Sequence, residues 1–130
     1  MAETRTKATP AQKVEQARRA LEDLNRGEVN PDGIAEDAVF HGVLLGDVRG
    51  RDAIVSALKK QRQDYDEFRQ EPHAILADAE HTVALVNLTT RKGGQEIKAQ
   101  QVIVVHNNDQ GQMQEIWTMF DADTMKKLAR

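Results

Sequence analysis

The chain has 130 residues, 39% hydrophobic and 30% charged, enough for one domain with its own core. Its 18 Lys and Arg residues are scattered among 21 acids for a net charge of -3, which argues against a nucleic-acid or anionic-membrane surface. There is no cysteine, so disulfides, thiol nucleophiles and cysteine-based zinc sites are excluded, and no apolar run approaches the roughly 18 residues that span a bilayer.

Residues 1–8 are polar and aperiodic, which predicts a disordered tail. They hold no apolar stretch of the kind a secretory signal needs, so the expected location is cytoplasmic. Residues 9–130 are read as a single domain. Thr9, Pro10 and Gln12 make a helix start with a capping box, and Val14, Ala17, Leu21 and Leu24 form one apolar stripe that ends near Gly27. Pro31 to Glu36 suits a short second helix carrying Ile34, and Ala38 to His41 a short strand. A glycine-punctuated loop runs from Gly42 to Gly50. A helix over Arg51–Gln61 then turns Ile54, Val55 and Leu58 inward, and Asp64–Phe68 is a connector.

From Arg69 the period changes to two. Four strands are predicted, over Arg69–Ala77, Thr82–Arg91, Gln95–His106 and Gln112–Phe120, followed by a helix over residues 121–129. Gly93-Gly94 suits a two-residue hairpin, and Asn108 to Gly111 a type I turn closed by a glycine bulge. A helix, a strand, a helix and a four-strand meander describe an α+β cone: a curved antiparallel sheet wrapped around N-terminal helices, with a hollow inside. Counting out from the turns sets Trp117 opposite Ile103, Glu115 opposite Val105, Val86 opposite Gln101 and His73 opposite Val86. The hollow face then carries His73, Val86, Gln101, Ile103, Glu115, Trp117, Met119 and Asp121. The other face is apolar too, since Val102 to Val105 is continuous rather than alternating. That predicts a homodimer packed through Leu85, Val102, Val104, Ile116 and Phe120, with Asn87, Gln100 and Thr118 bonding across.

Three stretches carry a family resemblance: Ala35-Glu36-Asp37-Ala38-Val39-Phe40-His41, Gly50-Arg51-Asp52-Ala53-Ile54, and Glu115-Ile116-Trp117 with Phe120-Asp121. Over roughly residues 12–128 the chain resembles SnoaL-like domains of the nuclear-transport-factor-2-like, ketosteroid-isomerase-like superfamily. The resemblance implies a cone-shaped fold, a pocket at its open end and frequent dimers. It does not imply one activity, because the superfamily spans isomerases, cyclases, hydrolases and binding domains. Where ketosteroid isomerases place a carboxylate base, this chain has His41, but the oxyanion-hole tyrosine and acid have no counterpart. Where limonene epoxide hydrolases place an aspartate after the last tryptophan, this chain has Met119. Polyketide cyclases pair a last-strand acid with a histidine, for which Glu115 or Asp121 with His41 or His73 are available.

The candidate acid–base residues are therefore His41, Glu115, His73 and Asp121. A histidine titrates in the range general-base work needs, and a desolvated glutamate can serve as an acid. Asp121 can equally cap the last helix. Trp117, Gln101, Met119, Val86, Ile103, Phe40 and Tyr65 are expected to line the pocket. The four histidines show no close ligand spacing, so neither metal nor cofactor is expected. The leading expectation is a small apolar organic ligand with cofactor-free isomerisation, cyclisation or hydration. The alternative is a non-catalytic dimeric binding module.

Overall fold

The computed structural model describes residues 7–42 and 46–128. Most of the expected tail and part of the Gly42–Gly50 loop lie outside these residues. The chain runs α1 (Pro10–Asn25), a 3-10 turn (Pro31–Gly33), β1 (Ile34–Gly42), β2 (Gly46–Arg49), α2 (Arg51–Gln63), β3 (Glu67–Ala77), β4 (His81–Lys92), β5 (Gln95–Asn107), β6 (Met113–Met119) and α3 (Ala122–Leu128). One curved sheet has the order β2-β1-β6-β5-β4-β3, with the helices packed on it. The α+β cone is as expected. Its sheet is mixed, because β1 runs parallel to β6. Among the described residues, no helix is long and apolar enough to cross a membrane.

Helix α1 starts as its sequence dictates. Gln12 N donates to Thr9 Oγ1 at 3.1 Å, and Thr9 N donates to Gln12 Oε1 at 2.9 Å, so two otherwise orphaned donors are satisfied. The expected helix over Pro31–Glu36 shrinks to one 3-10 turn. Ile34 already belongs to β1, where Ile34, Ala35, Ala38 and Phe40 are buried against Ile54 of α2, Val105 and Ile116. Burial of that apolar set outweighs the weak helical signal of a six-residue stretch. The pairing shifts between Ile34 and Val39, and this bulge is fastened by Gly50 N donating to Ala38 O and Arg51 Nε donating to Ile34 O, both at 2.8 Å. The Gly42–Gly50 loop contains β2 as an edge strand. Gly-Asp-Val-Arg, mostly exposed, has too little alternation to announce itself.

The glycine hairpin follows its turn chemistry. Gly93 and Gly94 take φ of 59° and 82°, as a type I′ turn requires, and Val86 pairs with Gln101. The flanking hairpins each hold a bulge that their turns do not reveal. Asn107 pairs with Met113, which fits the glycine-closed turn, but His106 pairs with Glu115, so Gln114 is an extra residue. Beyond it the parity is inverted: Val105 faces Ile116, Val104 faces Trp117 and Ile103 faces Thr118. Likewise Ala74 pairs with Leu85 but Pro72 with Val86, which leaves His73 as the bulged residue. Pro72 supplies no backbone N–H, so the ladder loses little there.

These bulges correct the side-chain assignment. Ile116, Thr118 and Phe120 face the hollow, whereas Glu115, Trp117 and Met119 stand on the outer face beside Val104 and His106. Ile116, Thr118 and Phe120 thus cannot belong to an outer-face interface.

Candidate functional site

The concave face of the sheet, α1, α2 and α3 enclose a cavity of about 390 Å³. Its apolar walls include Phe40 of β1, Leu58 of α2, Phe68 of β3, Leu88 of β4, Ile103 and Val105 of β5, and Ile116 of β6. Between them sit neutral polar side chains: Gln70, Thr90, Gln101 and Thr118, with Thr82 and Asn107 at one end. Among the described residues, no Asp, Glu, His, Lys or Arg of the sheet lines the cavity. The charged lining residues belong to α1 and the segment after it, namely Lys13, Arg19, Asp23, Glu28 and Asp32. Burial pushes the Tyr65 phenol above its ordinary range, with the Asp64 carboxylate adding to the effect, so it is neutral at physiological pH.

Several polar groups in the wall are already partnered. The buried Lys13 Nζ donates to the carbonyls of Asp78 at 3.1 Å and Ala79 at 2.5 Å, tying α1 to the β3–β4 turn. Thr82 Oγ1 donates to Asn107 Oδ1 at 2.8 Å, and Asn107 Nδ2 donates to Gly111 O at 3.2 Å. Gln70 Nε2 donates to Gln101 Oε1 at 2.9 Å. Gln70 Oε1 is buried and has no hydrogen-bond partner among the described residues.

Of the residues singled out from sequence, Gln101, Ile103, Phe40 and Tyr65 line this cavity. Val86 is on the hollow side but is covered by Leu21 and Ala84. Trp117 and Met119 lie outside, for the register reason given above. His73 is exposed at its bulge. Asp121 accepts from Thr124 N at 2.6 Å and caps α3, and that bond holds its carboxyl below the usual range. The polar residues that sequence reading missed are Gln70, Thr90 and Thr118. The Arg69-Gln70-Glu71 run looks solvated, and only its alternation with Phe68 gives Gln70 away.

His41 and Glu115 do meet, but on the outer face. His41 Nε2 lies 2.6 Å from Glu115 Oε2, and His41 Nδ1 lies 3.0 Å from Asp47 Oδ1. The ring stacks on Trp117 with centroids 5.5 Å apart. The bond to Glu115, then that to Asp47, raises the imidazole pKa above 6.5 and favours the cation. Farther along the same face, His81 and His106 pair across β4–β5 with rings 5.2 Å apart. With Glu80 they bring one possible metal-ligand atom each within 4.8 Å of one another, a grouping made by strand pairing rather than sequence spacing.

A fold of this order with a hollow between sheet and helices defines a class of small α+β cones. The SnoaL-like domain model matches residues 17–116, and the chain belongs to that family. No curated protein sequence matches the chain. Solved structures share the fold. Bal32a, from a soil-derived mobile gene cassette, is 20% identical with a TM-score of 0.82, covering 93% of this chain and 98% of its own. An LEH-like epoxide hydrolase from M. tuberculosis is 18% identical with a TM-score of 0.77, over 91% and 89%. TerC, co-crystallised with polyporic acid, is 14% identical with a TM-score of 0.75, over 90% and 97%.

Proposed function

We propose that this chain is a binding protein for a small, uncharged, mostly apolar organic molecule held in the cavity between sheet and helices. The observation that carries the reading is the wall itself: about 390 Å³ of space with apolar side chains, a few neutral amides and hydroxyls, and no ionisable group from the sheet among the described residues. Such a wall gains free energy from apolar contact and orients its guest through a few polar groups. On its sheet side it offers a charged guest little compensation for lost hydration. TerC, which shares the fold with a TM-score of 0.75, was co-crystallised with polyporic acid, and that supports a small organic guest for this fold.

A second reading keeps catalysis. His41 and Glu115 form a close acid–base pair with Asp47 beside it, so isomerase, cyclase or hydratase chemistry on this chain would use the outer face, next to Trp117. His73 and Asp121 would act elsewhere, since neither joins that group. The two readings separate on one titration: 2-naphthol binding by calorimetry from about pH 5.5 to about pH 8, in wild type and His41→Ala. The cavity reading predicts a constant affinity in both proteins. An affinity that follows an imidazole titration and vanishes in His41→Ala favours the outer face.

The proposal includes a homodimer. The outer face exposes Leu76 at 64% and Met119 at 46%, beside half-buried Leu85, Val102, Val104 and Trp117. A second copy of the same face covers such a surface economically. A cytoplasmic location belongs to the same proposal and is checked by cell fractionation.

A further inference from the structure

We infer that Gln70 selects the ligand: the cavity takes an apolar molecule carrying a hydroxyl group, which donates its hydrogen to Gln70 Oε1. This rests on the cavity being the ligand site. Gln70 is 5% exposed and Gln101 6%, so neither amide has bulk water to fall back on. Gln70 is part of the cavity wall; its Nε2 is spent on Gln101 Oε1, and its Oε1 is buried without a partner among the described residues. A buried acceptor left unpaired carries a desolvation cost, and folded proteins almost always satisfy such groups. A ligand that satisfies this one must be a donor, must be neutral to sit among Phe68, Leu88 and Ile103, and must reach it from the hollow.

The acceptor is also held in place. Asn25, at the end of α1, clasps the backbone of Gln70 from both sides: Gln70 N donates to Asn25 Oδ1 at 2.8 Å, and Asn25 Nδ2 donates to Gln70 O at 3.0 Å. On the neighbouring strand, Leu88 pairs with Gln70, and Gln101 pairs with Val86 one strand further. The amide is thus fixed by a helix end, a strand ladder and a second amide before any ligand arrives. A preorganised acceptor of this kind discriminates strongly against an analogue that lacks the donor.

Three probes of one size class test this by calorimetry on the full chain: 2-naphthol, 2-methoxynaphthalene and naphthalene. The methyl ether keeps the oxygen and loses the donor. The expected result is 2-naphthol binding about tenfold more tightly than either of the others in wild type, with that ratio falling to about one in Gln70→Met. All three binding with equal affinity overturns the inference while the cavity reading stands. The ether matching 2-naphthol, with both tighter than naphthalene, also overturns it, because the amide then presents a donor. A ratio unchanged in Gln70→Met overturns it by placing recognition elsewhere. Failure of all three to bind removes the cavity reading and the inference together. Should Gln70→Met not fold, a crystal structure of wild type with 2-naphthol decides. The naphthol oxygen within hydrogen-bond distance of Gln70 Oε1 supports the inference, and any other position overturns it.

Discussion

Replacing Ile116 with alanine probes the register of β6, on which the whole site depends. Ile116 is 4% exposed and pairs with Val105 on one side and Phe40 on the other, in the cluster that holds Ile34 and Ile54. The substitution removes three buried carbons, worth about 0.8 kcal/mol each, or about 2.4 kcal/mol in transfer free energy. Large-to-small changes usually add a cavity term. Here the new space opens onto the existing hollow, so that term is small and the total stays near about 2–3 kcal/mol. With a urea slope of about 2 kcal/mol per molar, the midpoint falls by about 1.2 M. The single tryptophan, Trp117, reports unfolding by fluorescence at one fixed protein concentration. Had β6 continued from its turn without the Gln114 bulge, Ile116 would face outward and the change would cost much less. A midpoint shift below about 0.5 M, in the same urea titration, refutes the assigned register.

Three further outcomes follow from the same contacts. Glu115→Gln removes the chief partner of the His41 cation. Because the folded pKa of His41 is raised, this pair stabilises below the ordinary value of 6.5 and its contribution is lost as pH rises through the folded value. The variant should therefore melt below wild type at about pH 6 and match it at about pH 9; an equal deficit at both contradicts the charged pair. Thr9→Ala breaks the capping box of α1 and should cost about 1 kcal/mol in urea denaturation, with no loss meaning that the helix start is held by other contacts. Val104→Lys places a charge on the outer face, so sedimentation should show wild-type dimers at micromolar concentration and monomers for the variant. Wild-type monomers would remove the dimer proposal.

Much of the fold is legible in the sequence because its signals are local. The Thr9–Gln12 box, the Gly93-Gly94 turn and the alternation of β4 and β5 are written in neighbouring residues, and each is found where expected. The site was less legible because it depends on parity across bulges. The turn at Asn108–Gly111 forms as its residues predict, and Asn107–Met113 follows from it, yet the single extra residue Gln114 exchanges the inner and outer sets of β6. Nothing in Met-Gln-Glu-Ile-Trp marks which residue is extra, since both parities offer an apolar face. His73 leaves the ladder for a comparable reason, although Pro72 beside it is a usable clue. The contact between His41 and Glu115 joins strands that pair in parallel across 74 residues of chain; the sequence offers Glu115 or His73 as the partner of His41, and only the strand pairing brings Glu115 to it, on the outer face. Gln70 stayed hidden because β3 is polar on both sides of it. Its inward turn follows only once Phe68 is counted as part of the strand.

The central claim is that the hollow, and not the outer face, receives the ligand. Titration of 2-naphthol into wild type, Thr118→Trp and His41→Ala tests it most directly, with circular dichroism confirming that each protein is folded. Thr118 lines the cavity, so the indole fills the space and abolishes binding, while His41→Ala binds as wild type does. Undiminished binding to Thr118→Trp, or loss of binding in His41→Ala, contradicts the account.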